Sequence, residues 1–123
     1  MTAQPLLVFD FDGVIVDGMA EYWWSAWMAA QRLNAEPQGL GPDAVPQGFR
    51  RLRPWVHHGW EMVLLAAEMP QLDPERWVVD YAAEQAMALQ RRGWAASRLQ
   101  EALDQTRQQA VSSNRAAWLG LHQ

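Results

Sequence analysis

Cysteine is absent from this chain, which excludes disulfides and thiolate metal sites. Lysine is absent as well, and all ten basic residues are arginine. Together with the abundance of alanine, that points to a GC-rich coding background rather than to a functional signal. Basic charge is in deficit: fourteen acids give a formal net charge of −4, against the basic surface that non-specific nucleic-acid binding requires. Long hydrophobic runs are missing too. Nothing approaches the length of a membrane span, and Met1-Thr2-Ala3-Gln4-Pro5 has neither the basic nor the apolar part of a secretion signal. A soluble cytoplasmic protein with no membrane or nucleic-acid partner is the expectation. No internal repeat, low-complexity tract or block of like charge occurs.

What is present is core material. Half of the 123 residues are apolar and eight are tryptophan, enough for one domain, or a domain and a fragment, and too apolar for disorder. The densest information lies at the start, in Leu6-Leu7-Val8-Phe9-Asp10-Phe11-Asp12-Gly13-Val14-Ile15-Val16-Asp17. Leu6 to Phe9 is apolar without alternation, as in a strand covered on both faces. Side chains alternate along a strand, so Asp10 and Asp12 share a face. Gly13 then lets the backbone turn close to a bound anion. Carboxylates at the carboxyl end of a parallel strand stand where open α/β sheets place ligands. Two such acids suit phosphoryl transfer with magnesium: the cation keeps Asp10 ionised to attack, while Asp12 holds a proton for the leaving oxygen. An EF-hand loop also opens on alternating acids, but Val14, Ile15 and Val16 stand where its later oxygen ligands belong.

Past Asp17 the period becomes helical. Asp17 is a plausible N-cap for a helix over 17–34 with Met19, Trp23, Trp27 and Ala30 on one stripe, widened by Trp24 and Met28. A loop rich in Gly and Pro over 37–48 is the expected mobile segment. A second helix is predicted over 55–69, with Val56, Trp60, Val63 and Ala67 on one face. Asp73-Pro74-Glu75 opens a third over 73–92, with Val78, Ala82, Ala86 and Leu89 inward and Arg91-Arg92-Gly93 closing it. A fourth over 97–112 aligns Leu99, Ala102, Leu103, Thr106 and Ala110, and a short last segment holds Trp118 and Leu119.

Two weaker constellations accompany these helices. Arg50-Arg51-x-Arg53-Pro54 precedes His57-His58-Gly59-Trp60-Glu61. Arg53 and His57 are candidates for reading the nonreacting part of a substrate, by bidentate hydrogen bonding and by imidazole contacts; the alternative is a solvated cluster. His57 and Glu61 fall one turn apart, which admits a metal pair but supplies no third ligand. Aromatic residues at helical spacing fit a core, with Trp23 and Trp24 placed to line a cleft near the motif.

The pattern Asp10-Phe11-Asp12-Gly13-Val14-Ile15-Val16-Asp17 resembles the first motif of the haloacid dehalogenase-like (HAD) hydrolase superfamily. The resemblance implies an α/β HAD-like fold to which this chain contributes mainly α structure: one N-terminal strand and a cap of four to five helices. Residues 1–17 would be the first-motif strand and nucleophile loop of an incomplete Rossmann-like core, 18–117 the helical cap, and 118–123 the return toward the core. Asp10 is then the nucleophile and Asp12 the general acid/base. Mg²⁺ is held by the Asp10 carboxylate and the Asp12 backbone carbonyl, and Gly13 forms the turn beside the substrate. The second Asp of the pair favours a phosphate ester over a haloacid. The family's later Ser/Thr, Lys and acidic-pair motifs have no counterpart in this sequence. The expectation is therefore the N-terminal portion of a phosphatase for a small phosphorylated metabolite, completed by a missing C-terminal core half or by self-association, and nearly inactive alone. The competing expectation is a noncatalytic helical interaction module that keeps a vestigial first motif.

Overall fold

The segment Met62-Val63-Leu64-Leu65-Ala66-Ala67 has no polar face. A helix that is apolar all round must be covered on every side. The structure, a computed structural model, describes residues 18–113 and gives this segment the central position. Six helices follow in order: α1 Gly18–Arg32, α2 Gln47–Leu52, α3 Gly59–Glu68, α4 Pro74–Val79, α5 Tyr81–Arg92 and α6 Ala96–Ser113. Every residue from Glu61 to Met69 is buried. Helices α1 and α6 pack on α3 and on each other, α5 also lies on α3, and α4 bridges α2 and α5. The chain is thus mainly helical, and no strand occurs among the described residues. The expected strand over 6–9, the motif acids and the segment at Trp118 lie outside them.

Local chemistry accounts for the helix limits. Helix α1 ends through Asn34, whose φ of 60° is left-handed. The Ala35 N–H then donates to Ala30 O at 2.9 Å and the Asn34 N–H to Gln31 O at 3.0 Å, the paired closure that asparagine or glycine permits. Gly93 closes α5 the same way, with φ of 67° and the Trp94 N–H donating to Leu89 O at 3.1 Å. Asp73 caps α4 by accepting from the Glu75 N–H at 3.1 Å, with Pro74 following it. The α6 stripe is as predicted: Leu99, Ala102, Leu103 and Thr106 are buried and Ala110 is half-buried.

Four expectations are corrected. The helix predicted over 73–92 is two helices, because Asp80 leaves helical geometry (φ −152°, ψ 77°) and caps α5 by accepting from the Ala83 N–H at 3.2 Å. That break resets the phase: Trp77, Tyr81 and Ala88 turn inward, while Ala82 and Ala86 are exposed. The helix predicted from 55 begins instead at Gly59, since Arg53–Trp55 forms a 3₁₀ turn around Pro54 and His58 takes the cap position. The Gly/Pro segment runs at its end into a helix not foreseen, α2, which starts at Gln47 and buries Phe49 and Leu52. That segment is also fastened to α1: Trp23 Nε1 donates to Gly41 O and Trp27 Nε1 to Leu40 O, both at 2.8 Å. Finally, Trp23 is fully buried against Phe49, edge to face at 5.1 Å between ring centroids, and lines no cleft.

Helices α3 and α5 run parallel, tied at both ends by buried acids. Tyr81, the first residue of α5, donates to Glu61 in the first turn of α3. Arg91 Nη2 (2.9 Å) and Arg92 Nε (2.5 Å), from the last turn of α5, donate to Glu68 at the end of α3. A carboxylate is unfavourable near the negative end of a helix, and the two guanidinium groups offset this. Arg92 Nη2 also donates to Ala67 O at 3.0 Å. At the other face of α3, Gly59 meets α6: a Cβ there would stand 2.9 Å from Leu103 Cδ2.

Leu103, fully buried between α6 and α3, should be a stability determinant. Leu103→Ala is expected to cost about 2–5 kcal/mol, read from the urea midpoint. Val79→Ser, at a position 83% exposed, should change stability by less than about 0.5 kcal/mol.

Candidate functional site

Of the site residues named from the sequence, Asp10, Asp12 and Gly13 lie outside the described residues. Arg53 and His57 lie within them, and the structure treats the two differently. The His57 side chain is exposed; its contribution is a backbone N–H that donates to Glu61 Oε2 at 3.1 Å. Arg53 is half-buried, with its guanidinium carbon 4.8 Å from the centroid of the Tyr22 ring. Tyr22 stands one turn into α1, at the end of the helix that the motif segment enters. The fold therefore brings Arg53, but not the His57 ring, to the head of α1.

Beside Arg53 lies a polar cluster organised by Glu61, which is only 3% exposed. Its Oε2 accepts from the backbone N–H groups of His57 (3.1 Å) and His58 (2.8 Å), and His58 Nδ1 lies 3.1 Å away. Its Oε1 accepts from the Tyr81 hydroxyl at 2.9 Å. This is a capping box with histidine at the cap and glutamate three residues on. The sequence signal was His58-x-x-Glu61, with histidine in place of Ser or Thr; the sequence reading pairs Glu61 with His57 instead, as a candidate metal pair. Held by these donors, Glu61 orients the start of α3. No group of three His, Cys, Asp or Glu side chains able to hold a metal occurs among the described residues.

Tyr81 is the partner that sequence reasoning missed. Burial raises its pKa well above the usual phenol value, the hydrogen bond to Glu61 and that carboxylate's charge raise it further, and the charge of Arg53 opposes them. Tyr81 is therefore a neutral phenol that donates. Arg53 differs from its neighbours in what it leaves unused. Arg51 pairs with Glu75, Arg76 with Glu84, Arg91 and Arg92 with Glu68, and Arg107 with Glu21. No carboxylate among the described residues pairs with Arg53, and its Nε is buried without an acceptor.

A concavity lies between α1 and α6, a groove of about 360 Å³ bordered by Trp24, Met28, Arg32, Thr106 and Ala110. Arg32 crosses it, donating through Nε to Thr106 Oγ1 at 2.9 Å and through Nη2 to Gln109 Oε1. No helix among the described residues is long and apolar enough to cross a membrane.

Comparison with known proteins adds no relative: no protein-family model, curated protein or solved structure matches this chain.

Tyr81→Phe should cost about 1–3 kcal/mol at neutral pH, because the buried Glu61 loses a donor. The raised phenol pKa also fixes a sign. The folded state binds the Tyr81 proton more tightly than the unfolded state does, so this stabilisation is complete below the ordinary phenol value of 10.0 and declines as pH rises beyond it. Denaturant midpoints measured from neutral to strongly alkaline pH should fall less steeply in Tyr81→Phe than in the parent.

Proposed function

We propose that the chain is the N-terminal portion of a HAD-like hydrolase, a magnesium-dependent cytoplasmic phosphatase for a small phosphorylated metabolite. One observation carries this reading: the apolar run Leu6–Phe9 delivers Asp10-x-Asp12-Gly13 and, after Asp17, leads straight into a helical unit at Gly18. The α/β core belongs to the proposal, with residues 1–17 as its first strand and loop and the helices from 18 onward as the cap.

The chemistry follows from the acids. A carboxylate oxygen of Asp10 attacks phosphorus, and the ester P–O bond breaks as Asp12 donates its proton to the leaving oxygen. Asp12, now a base, takes a proton from the water that cleaves the aspartyl phosphate, freeing inorganic phosphate and returning Asp10. The donors assigned to the cation, the Asp10 carboxylate and the Asp12 carbonyl, are all oxygen and suit a hard ion that keeps several waters. When bound, Mg²⁺ supplies charge neutralisation at the transferring group. Gly13 gives the backbone close access to the phosphoryl oxygens. Arg53 and His57 are the cap residues proposed to face the rest of the substrate; the position of Arg53 at the head of α1 supports its part, and the exposed His57 ring leaves only solvent-side contacts for that residue.

The test is hydrolysis of p-nitrophenyl phosphate. Residues 1–123 alone should bind magnesium weakly and turn over negligibly, for want of the cationic clamp that dominates phosphoryl transfer. Adding the missing core, in cis or as a separate chain, should produce magnesium-dependent turnover. In that assembly Asp10→Asn should abolish activity and Asp12→Asn should lower it by about 10²-fold or more. Full activity in Asp10→Asn would rule out the covalent mechanism. No turnover with the core supplied would favour the noncatalytic interaction module.

A further inference from the structure

Trp24 is the tryptophan that the core does not use. The buried core and the half-buried residues packed on it take in Trp23, Trp27, Trp55, Trp60, Trp77 and Trp94, but not Trp24. Trp24 is half-buried and borders the groove of about 360 Å³ between α1 and α6. Met28, one turn on along α1, and Ala110 of α6 border the same groove and are also only half-buried. The groove thus leaves part of an indole, a thioether and a methyl group open to water, and covering such surface is favourable.

Arg32 lies one turn further along α1, lines the groove and is exposed. It is the one charged side chain among the described residues that line it. No carboxylate among the described residues pairs with it. Its acceptors are neutral: Thr106 Oγ1 takes the Nε–H at 2.9 Å and Gln109 Oε1 takes an N–H of Nη2. Thr106 is itself buried and held by donating its hydroxyl to Ala102 O at 2.8 Å. Guanidinium carries five N–H groups in one plane. The two bonds to α6 use the side-on fork of Nε and Nη2 and hold that plane. The end-on fork, an Nη1–H with the second Nη2–H, is left for an ionised acceptor. A group already ordered has little freedom to lose on binding.

We propose that this groove binds a small carboxylic acid with an apolar body. The body lies against Trp24, Met28 and Ala110, and the carboxylate takes the end-on fork of Arg32. Ligand sites span about 300–1,000 Å³, so a groove at the low end of that range suits a single ring or a short branched chain. A monoanion is the match, because one guanidinium is the whole of the positive charge among the described lining residues. The proposal stands apart from the phosphatase reading, and no outcome of its test bears on Asp10 or Asp12.

Phenylacetate is the probe. The full chain, labelled with ¹³C in the methionine methyl groups, is titrated at neutral pH, and the Met28 signal, identified through Met28→Leu, is followed. Acetate supplies the charge without the body, and 2-phenylethanol the body without the charge. Phenylacetate should give a saturable shift, and each of the other two should bind at least about tenfold more weakly, the worth of one charged hydrogen bond in the case of the alcohol. Arg32→Gln should weaken phenylacetate by about tenfold or more and leave 2-phenylethanol unchanged, a split that a general loosening of the helices would not produce. Ala110→Leu fills the groove and keeps the charge. It should weaken both ligands, and it carries the test if Arg32→Gln does not fold by circular dichroism. No saturable shift at Met28, equal affinity for phenylacetate and 2-phenylethanol, tighter binding of inorganic phosphate than of phenylacetate, or unchanged phenylacetate affinity in the folded variants would overturn the proposal.

Discussion

The complete burial of α3 is the constraint on which the rest of the structure depends. Met62 to Ala67 offers water no polar face, so neighbours must supply the whole of its surround, and α1, α5 and α6 do so. Burial extends to the glutamates at each end, Glu61 and Glu68, both 3% exposed. A buried carboxylate is tolerated only when paired or hydrogen-bonded. Each therefore dictates what lies beside it: a phenol and two backbone amides at one end, two guanidinium groups at the other. At each end α5 supplies side-chain donors, Tyr81 at one and Arg91 and Arg92 at the other, and this fixes both its direction and its position along α3.

That double tether explains the break at Asp80. An uninterrupted helix from 73 to 92 would present Val78, Ala82 and Ala86 on its buried stripe, and Tyr81 would point elsewhere. With Asp80 outside helical geometry, α5 restarts with Tyr81 facing Glu61, and Trp77 closes against it, edge to face at 5.8 Å between ring centroids. The aromatic pair buries far more apolar surface than the alanines it displaces from the core-facing side. Arg53 is set down in the same corner because Phe49 and Leu52 anchor α2 in the core just before it.

The functional reading joins two unlike parts of the chain. In the proposed reading the acids of the motif would carry the chemistry, as a pattern of residues at the start of the sequence. The helices carry the geometry that a cap would need: a bundle whose first helix follows the motif in sequence, with the Arg53 guanidinium laid on Tyr22, one turn into that helix. The mobile segment expected near 37–48 would have suited a flexible lid. The indoles of Trp23 and Trp27 instead tie it down, through bonds to Gly41 O and Leu40 O.

By itself the sequence determined whatever depends on neighbours within a turn or two: the helical character, the Asp73-Pro74 start, the closure at Gly93, the end of α1 near Asn34, and the α6 stripe through Leu99, Leu103 and Thr106. Capping and periodicity are local, and propensity reports them directly. It misjudged what hangs on distant partners. Glu61 looked like half of a metal pair because its true partner, Tyr81, stands twenty residues away. The phase of α5 followed from that same bond, and α2 forms in a Gly/Pro-rich stretch because Phe49 finds Trp23. Arg53 was one of three neighbouring arginines until the fold laid it on Tyr22 and left its Nε unanswered. Only tertiary structure decided these, because the free energy of a buried polar or aromatic group is set by what surrounds it, and those surroundings are assembled from parts of the chain that no local window contains.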